Sequence, residues 1–169
     1  MAARMRILGV DPGSHATGWG VVQVTPALRL VASGVIRPGH ELNLPDRLVL
    51  IHAELTAVIA AHAPQVMAVE DLFNARNARS SLILGHARGA ILLAGAQAGL
   101  AVSEYPPGTV KQALTGNGQA GKEQVRFMVM RLLQLVDAPP LDESDALAVA
   151  LAHQGRQRFA AALRAGGGR

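Results

Sequence analysis

Four carboxylates stand where predicted elements begin or end, and their placement defines the chemistry open to this chain. Asp11 closes the apolar run Met5-Arg6-Ile7-Leu8-Gly9-Val10 and starts D-P-G-S-H-A-T-G-W-G. Glu70 closes a second run, Val66-Met67-Ala68-Val69, while Asp142 and Asp145 open the apolar helix D-E-S-D-A-L-A-V-A-L-A-H. Two acids at strand ends and two at a helix start can converge at one edge of an α/β sheet. Such a cluster repels itself unless cations neutralise it, and hard ions such as Mg²⁺ or Mn²⁺ prefer oxygen ligands. Two ions held this way serve in-line displacement at phosphorus. The pattern points to phosphodiester chemistry on nucleic acid.

Each motif also has a plainer reading. Asp-Pro-Gly-Ser after a strand makes a type I or II turn, with Pro12 fixing φ and Gly13 free to take a positive one. The glycines that follow, Gly18 and Gly20, call for backbone running close to a neighbour. Asp142 and Asp145 resemble a capping box with Asp in place of Glu or Gln, and the helix dipole favours acids there. The same field keeps both ionised for metal binding, and a spacing of three puts them on one helical face. Glu70 ends an apolar strand, where an unpaired charge is costly, although Asp71 beside it allows a solvated turn. Phe73 either caps the core or stacks on an unpaired base, a contact worth ~1–3 kcal/mol. Lys111 and Lys122 are the only lysines, and both flank Thr115–Gly121, which reads as a mobile loop. They are either solvated surface or contacts to a phosphate backbone. The six histidines lack metal-ligand spacing, and His153, two turns beyond Asp145, reads as structural or, at most, as a support behind the acids.

Positioning these groups takes a sheet. Ile7–Val10, Trp19–Val24 and Leu28–Ile36 read as strands, with turns at Pro12-Gly13-Ser14 and Thr25-Pro26. Leu48, Ile51, Leu55, Val58 and Ile59 recur at helical spacing between Pro45 and Pro64. Val66–Glu70 reads as a central strand, and Ala101–Tyr105 as a fifth. Between those two a long helix is expected from about Arg76 to Ala98, crowded with Gly85, Ala87, Gly89, Ala90, Ala94, Gly95 and Ala98. Glycine costs ~1 kcal/mol against alanine inside a helix, so a second backbone should pass close, either the sheet beneath or a dimer partner. Pro106-Pro107 opens a short helix through Leu114. Val125, Met128, Val129, Leu132, Leu133 and Val136 make an amphipathic stripe, and Pro139-Pro140 precedes the final helix. The expected fold is α/β, a five-stranded mixed sheet with helices on both faces, in one domain over 1–164 with a disordered tail at 165–169.

Composition narrows the class. The chain has 169 residues, half of them apolar, yet no uninterrupted stretch long enough to span a bilayer. No basic-apolar-small signal opens it, so a cytoplasmic protein is expected. Zero cysteines exclude disulfides, thiolate metal sites and a cysteine nucleophile. The net charge is +4. With the four clustered acids assigned to metals, sixteen basic residues face eight remaining acids, a balance suited to a polyanion.

Taken together, these motifs resemble the RuvC-type Holliday-junction resolvases, which are ribonuclease H-like endonucleases. The resemblance runs from about Arg6 to His153. It rests on G-V-D-P-G-S-H-A-T-G-W-G, V-E-D-L-F-N-A-R-N-A-R-S-S-L-I-L-G-H-A-R-G, V-K-Q-A-L-T-G-N-G-Q-A-G-K-E-Q-V and S-D-A-L-A-V-A-L-A-H, in that order. It implies that Asp11, Glu70, Asp142 and Asp145 hold two Mg²⁺ ions, or Mn²⁺, with Asp11 bridging. It implies that Phe73 stacks on a base near the crossover and that Lys111 and Lys122 contact DNA phosphates. Arg76, Asn77, Arg79 and Ser80 would lie near the strand-exchange point. It further implies a homodimer with the long helix at the seam, paired nicks in four-way DNA junctions leaving 5′-phosphate and 3′-hydroxyl ends, and cooperation with a branch-migration motor of RuvA- and RuvB-type proteins. His15 stands where a basic residue is common in the family.

Three other readings compete. A sugar-kinase or actin-like ATPase also starts with a strand-end Asp and Gly, but needs two such domains. A non-catalytic junction-binding relative would be expected to lack a carboxylate, and all four are here. A ribonuclease H-like enzyme acting on RNA is the one these residues exclude least.

Overall fold

The runs 7–10 and 66–69 have no polar face because helices cover both sides of the sheet they form. The computed structural model describes residues 4–71 and 77–166. β1 (Arg6–Asp11) pairs antiparallel with β2 (Thr17–Gln23) and parallel with β4 (Val66–Glu70). β3 (Arg29–Ile36) and β5 (Ala101–Tyr105) form the edges, giving the order β3-β2-β1-β4-β5. Side chains alternate between faces along a strand. Ile7, Val66 and Ala68 therefore enter one core, and Leu8, Val10, Met67 and Val69 the other. The first core is closed by α3 (Pro107–Thr115), α4 (Lys122–Leu133) and α5 (Leu141–Gly166); the second by α1 (Leu44–His62) and α2 (Ala78–Gln97). The expected mixed five-stranded sheet with helices on both faces is the fold observed.

Local chemistry sets the helix limits. Asn43 starts α1 by accepting from the Asp46 N–H at 2.9 Å, and Ala63 stops it in the left-handed region, one residue before Pro64. Asn77 caps α2 in the same way, accepting from the Ser80 N–H at 2.8 Å.

The glycines in β1 and β2 fix how closely α5 approaches. A Cβ on Gly9 would lie 2.1 Å from the Ala146 carbonyl oxygen, and one on Gly18 would lie 2.0 Å from that of Asp142. The backbone contact anticipated at Gly18 is thus α5 itself, lying directly on the sheet.

Several expectations need correction. The small residues of α2 serve two surfaces: Ala87, Ala94 and Gly95 are buried against the sheet, whereas Gly85 and Gly89 face open space. The buried stripe of α4 is Val125, Val129 and Leu133. Val136 is 92 % exposed, because Gln134 ends the helix in the left-handed region and the chain has turned by residue 136. Thr115–Gly121 is closed by its own bonds, with Gln119 N–H donating to Asn117 Oδ1 at 2.9 Å and Ala120 in the core. Helix α5 runs to Gly166, two residues into the expected tail, and 167–169 lie outside the described residues.

Candidate active site

Val10 and Val69 are register partners on parallel strands, so Asp11 and Glu70 follow as neighbours at the carboxyl end of the sheet. Crevices at that end, where the chain leaves neighbouring strands in opposite directions, are where open α/β sheets bind ligands. Asp145 arrives from the first turns of α5, held there by the contacts at Gly9 and Gly18. These three acids line one cleft of ≈ 340 Å³ with Lys111 and Lys122.

The electrostatics of the cleft are those of an acid cluster short of positive charge. Burial, then the charges of Asp145 and Asp142, push the Asp11 carboxyl up to about 7 against the partial relief of Lys122. Burial, then Asp11 and Asp145, push Glu70 up to about 8. Lys122 donates to Asp145 Oδ2 at 3.0 Å, and that bond and charge raise its own pKa.

Asp142 takes a different course. Its Oδ2 accepts from Arg37 at 2.8 Å, and Asp142 does not line the cleft. Next to it, Ser33 of β3 donates to Glu143 Oε2 at 2.5 Å, so β3 and the residue just after it each hold the first turn of α5. Both helix-start acids face cations, which is not the arrangement of a capping box.

Among the described residues, no three His, Asp or Glu side chains are gathered as a ready ligand set for one ion. The chemistry of the donors nevertheless fits hard divalent cations. Asp11 and Glu70 are two adjacent, largely buried carboxylates that at neutral pH must keep protons or gain positive charge. All the acidic donors are oxygens, as Mg²⁺ and Mn²⁺ prefer.

The other expected residues divide. Lys111 and Lys122 join the cleft. Asn77, Arg79 and Ser80 are exposed at the start of α2, with Asn77 engaged as its cap. Phe73 and Arg76 lie outside the described residues. Three features went unread in the sequence. Arg37 is one, since nothing linear links it to an acid 105 residues away. Arg88 is the second, bonded to Glu104 and 3.3 Å from Asp71; its signal was a lone charge among the alanines and glycines of α2. That pairing engages Asp71, and the turn read after it falls on residues 72–76, which lie outside the described residues. Third, the Tyr105 hydroxyl meets His153 Nδ1 at 2.7 Å, clamping β5 to α5. His153 is buried, and burial lowers its pKa, in keeping with the structural role read for it.

Known proteins give this geometry a context. The family model described as crossover junction endodeoxyribonuclease RuvC matches residues 7–153. A Pseudomonas putida protein of that name is 51 % identical over 148 residues, covering 87 % of this chain and 84 % of its own length. The Halorhodospira halophila protein is 50 % identical, covering 88 % and 89 %. The structure of Thermus thermophilus RuvC in complex with a Holliday junction substrate superposes with a TM-score of 0.87 at 39 % identity, over 92 % of this chain and 96 % of that one. The chain belongs to the RuvC family of crossover junction endodeoxyribonucleases.

Proposed function

We propose that this chain is a metal-dependent, structure-selective endonuclease that resolves four-way DNA junctions by paired symmetric nicks, in recombination and repair in the cytoplasm. One observation carries the reading: Asp11 and Glu70 stand side by side at the carboxyl ends of parallel strands, joined by Asp145 and flanked by two lysines in one cleft. The junction-bound relative, 39 % identical, supports the substrate.

Asp11, Glu70 and Asp145 would hold the metal, and Asp142 would join them on leaving Arg37. Two Mg²⁺ ions, or Mn²⁺, supply an activated water and stabilise charge on the leaving oxygen when bound. Asp11, on the central strand, would serve both ions. Lys111 and Lys122 rim the cleft where the scissile phosphate enters, Lys122 exchanging Asp145 for the DNA backbone. The segment carrying Phe73, Arg76, Asn77, Arg79 and Ser80 continues directly from Glu70 and is assigned to the crossover. The products would be 5′-phosphate and 3′-hydroxyl ends, which a ligase can seal.

Paired nicks need two sites. The outer face of α2 suits a homodimer seam: Leu82 and Leu93 are 63 % and 51 % exposed, Val49 of α1, on one groove with Leu93, is 68 % exposed, and Gly85 and Gly89 leave room for a second backbone. Gly89→Arg should yield monomers in analytical ultracentrifugation; persistent dimers would move the seam elsewhere. The motor of RuvA- and RuvB-type proteins is assigned as partner from the family alone.

The test of the activity compares cleavage of a four-way DNA junction, linear duplex DNA and structured RNA in Mg²⁺. The junction should be cut at symmetric positions and at least ~100-fold faster than duplex, a discrimination of about 2.7 kcal/mol. Preferential cleavage of RNA would favour the rival ribonuclease reading and sink this one.

A further inference from the structure

Beyond His153 the chain keeps its helix but loses its core. Residues 141–153 of α5 cross the sheet with nine buried positions, and 155–166 are all exposed. Twelve exposed residues rise ~18 Å at 1.5 Å each, a length marginal as a helix on its own. This half lies past residue 153, where the family match ends. Its charges have one sign, Arg156, Arg158 and Arg164, and no acid follows Asp145 in the chain.

Complementing the helix dipole does not account for this. That effect falls off within the last turn, whereas Arg156 and Arg158 lie two turns or more before Gly166. The surroundings of Arg156 and Arg164 connect this half to the cleft instead. Arg156 sits 5.7 Å over the Tyr105 ring, and Tyr105 is the register partner of Glu70. α3 lines both places, with Lys111 in the acidic cleft and Ala113 in a groove of ≈ 660 Å³ beside Arg156 and Arg164. Nucleic acid leaving the cleft over α3 would meet the arginines after about one helix diameter, ~10 Å.

We propose that the C-terminal half of α5 is a second DNA contact, binding the phosphate backbone of a junction arm outside the cleavage cleft. This rests on the junction reading above for the identity of the polyanion. Phe159 and Leu163, 67 % and 62 % exposed, lie between the arginines on the same groove, where they can cover the sugar edge of that strand.

The test replaces Arg156 and Arg164, the two arginines on the groove, together, once by Ala and once by Lys; both replacements are good helix formers. Junction affinity is then titrated against salt. The Ala pair should flatten the log–log slope by up to ~1.8, at ~0.9 for each phosphate left without its arginine, and the Lys pair should restore it. An unchanged slope in the Ala pair overturns the proposal and leaves this helix to a protein partner. A flattening that Lys fails to restore also overturns it, because a backbone phosphate accepts either cation. The same titration on linear duplex keeps the two readings apart: a wild type without junction preference fails the function while the slope difference still reports on the helix.

Discussion

Asp11 and Glu70 stand on neighbouring parallel strands, largely buried and with no ion pair among the described residues. Asp142 and Asp145 ride the first turns of α5, and each meets a cation, Arg37 at 2.8 Å and Lys122 at 3.0 Å. The difference follows from the elements. A central strand is locked by ladders on both sides, so an acid at its end cannot move away from its neighbour. A side chain at a helix start has solvent beside it and can reach a surface cation. In the proposed site the strand pair would create the demand for positive charge, and the helix pair, each acid already paired with a cation, would complete it.

The largest break of this contrast should come from Asp11→Asn. Nicking should fall at least ~100-fold, the scale of removing one group that organises transition-state charge, while gel-shift affinity for the junction stays within a few fold. Wild-type cleavage in this variant would remove the strand pair from the chemistry.

Gly18→Ala probes the seat of the helix pair. The new Cβ would meet the Asp142 carbonyl, so α5 must shift and carry Asp142 and Asp145 with it. A displacement near 1 Å can cost ~100-fold in rate. Single-turnover cleavage should fall ~10- to 100-fold in a variant that still melts cooperatively. Unchanged cleavage would mean that the helix-start acids need no such close positioning.

Arg37→Ala should have the smallest effect. Arg37 is 61 % exposed, and exposed pairs contribute ~0–1 kcal/mol. Stability should change by no more than that and nicking by less than ~5-fold, either way. A loss as deep as that of Asp11→Asn would show that Arg37 takes part in the chemistry and does more than hold Asp142.

How much of this could be read beforehand depends on how local each cause is. The strands ending at Asp11 and Glu70 were legible because apolar runs with no polar alternation require cover on both faces. Gly18 announced a close approach, but only the fold shows that α5 makes it. The pairing of Arg37 with Asp142 joins residues 105 apart and has no sequence signature. Val136 continued the α4 stripe on paper, yet Gln134 had already ended the helix. The glycines of α2 read as one crowded face, and burial divides that face between the sheet and open space.

The most direct test of the central claim is thermal stability against pH, with and without Mg²⁺, for wild type and for Asp11→Asn/Glu70→Gln. Both carboxyls titrate higher when folded, from ordinary values of 3.8 and 4.5 to about 7 and about 8. The folded state thus holds more protons than the unfolded chain between about pH 4 and 8, and their stabilisation is lost as pH rises through that window. In EDTA the wild-type melting temperature should fall between pH 5 and 9. Mg²⁺ should restore more of it at pH 9 than at pH 5. The double variant should show a shallower fall and little Mg²⁺ response. A wild type with no more pH dependence than the variant, or a full Mg²⁺ response in the variant, would contradict a cation site built on Asp11 and Glu70.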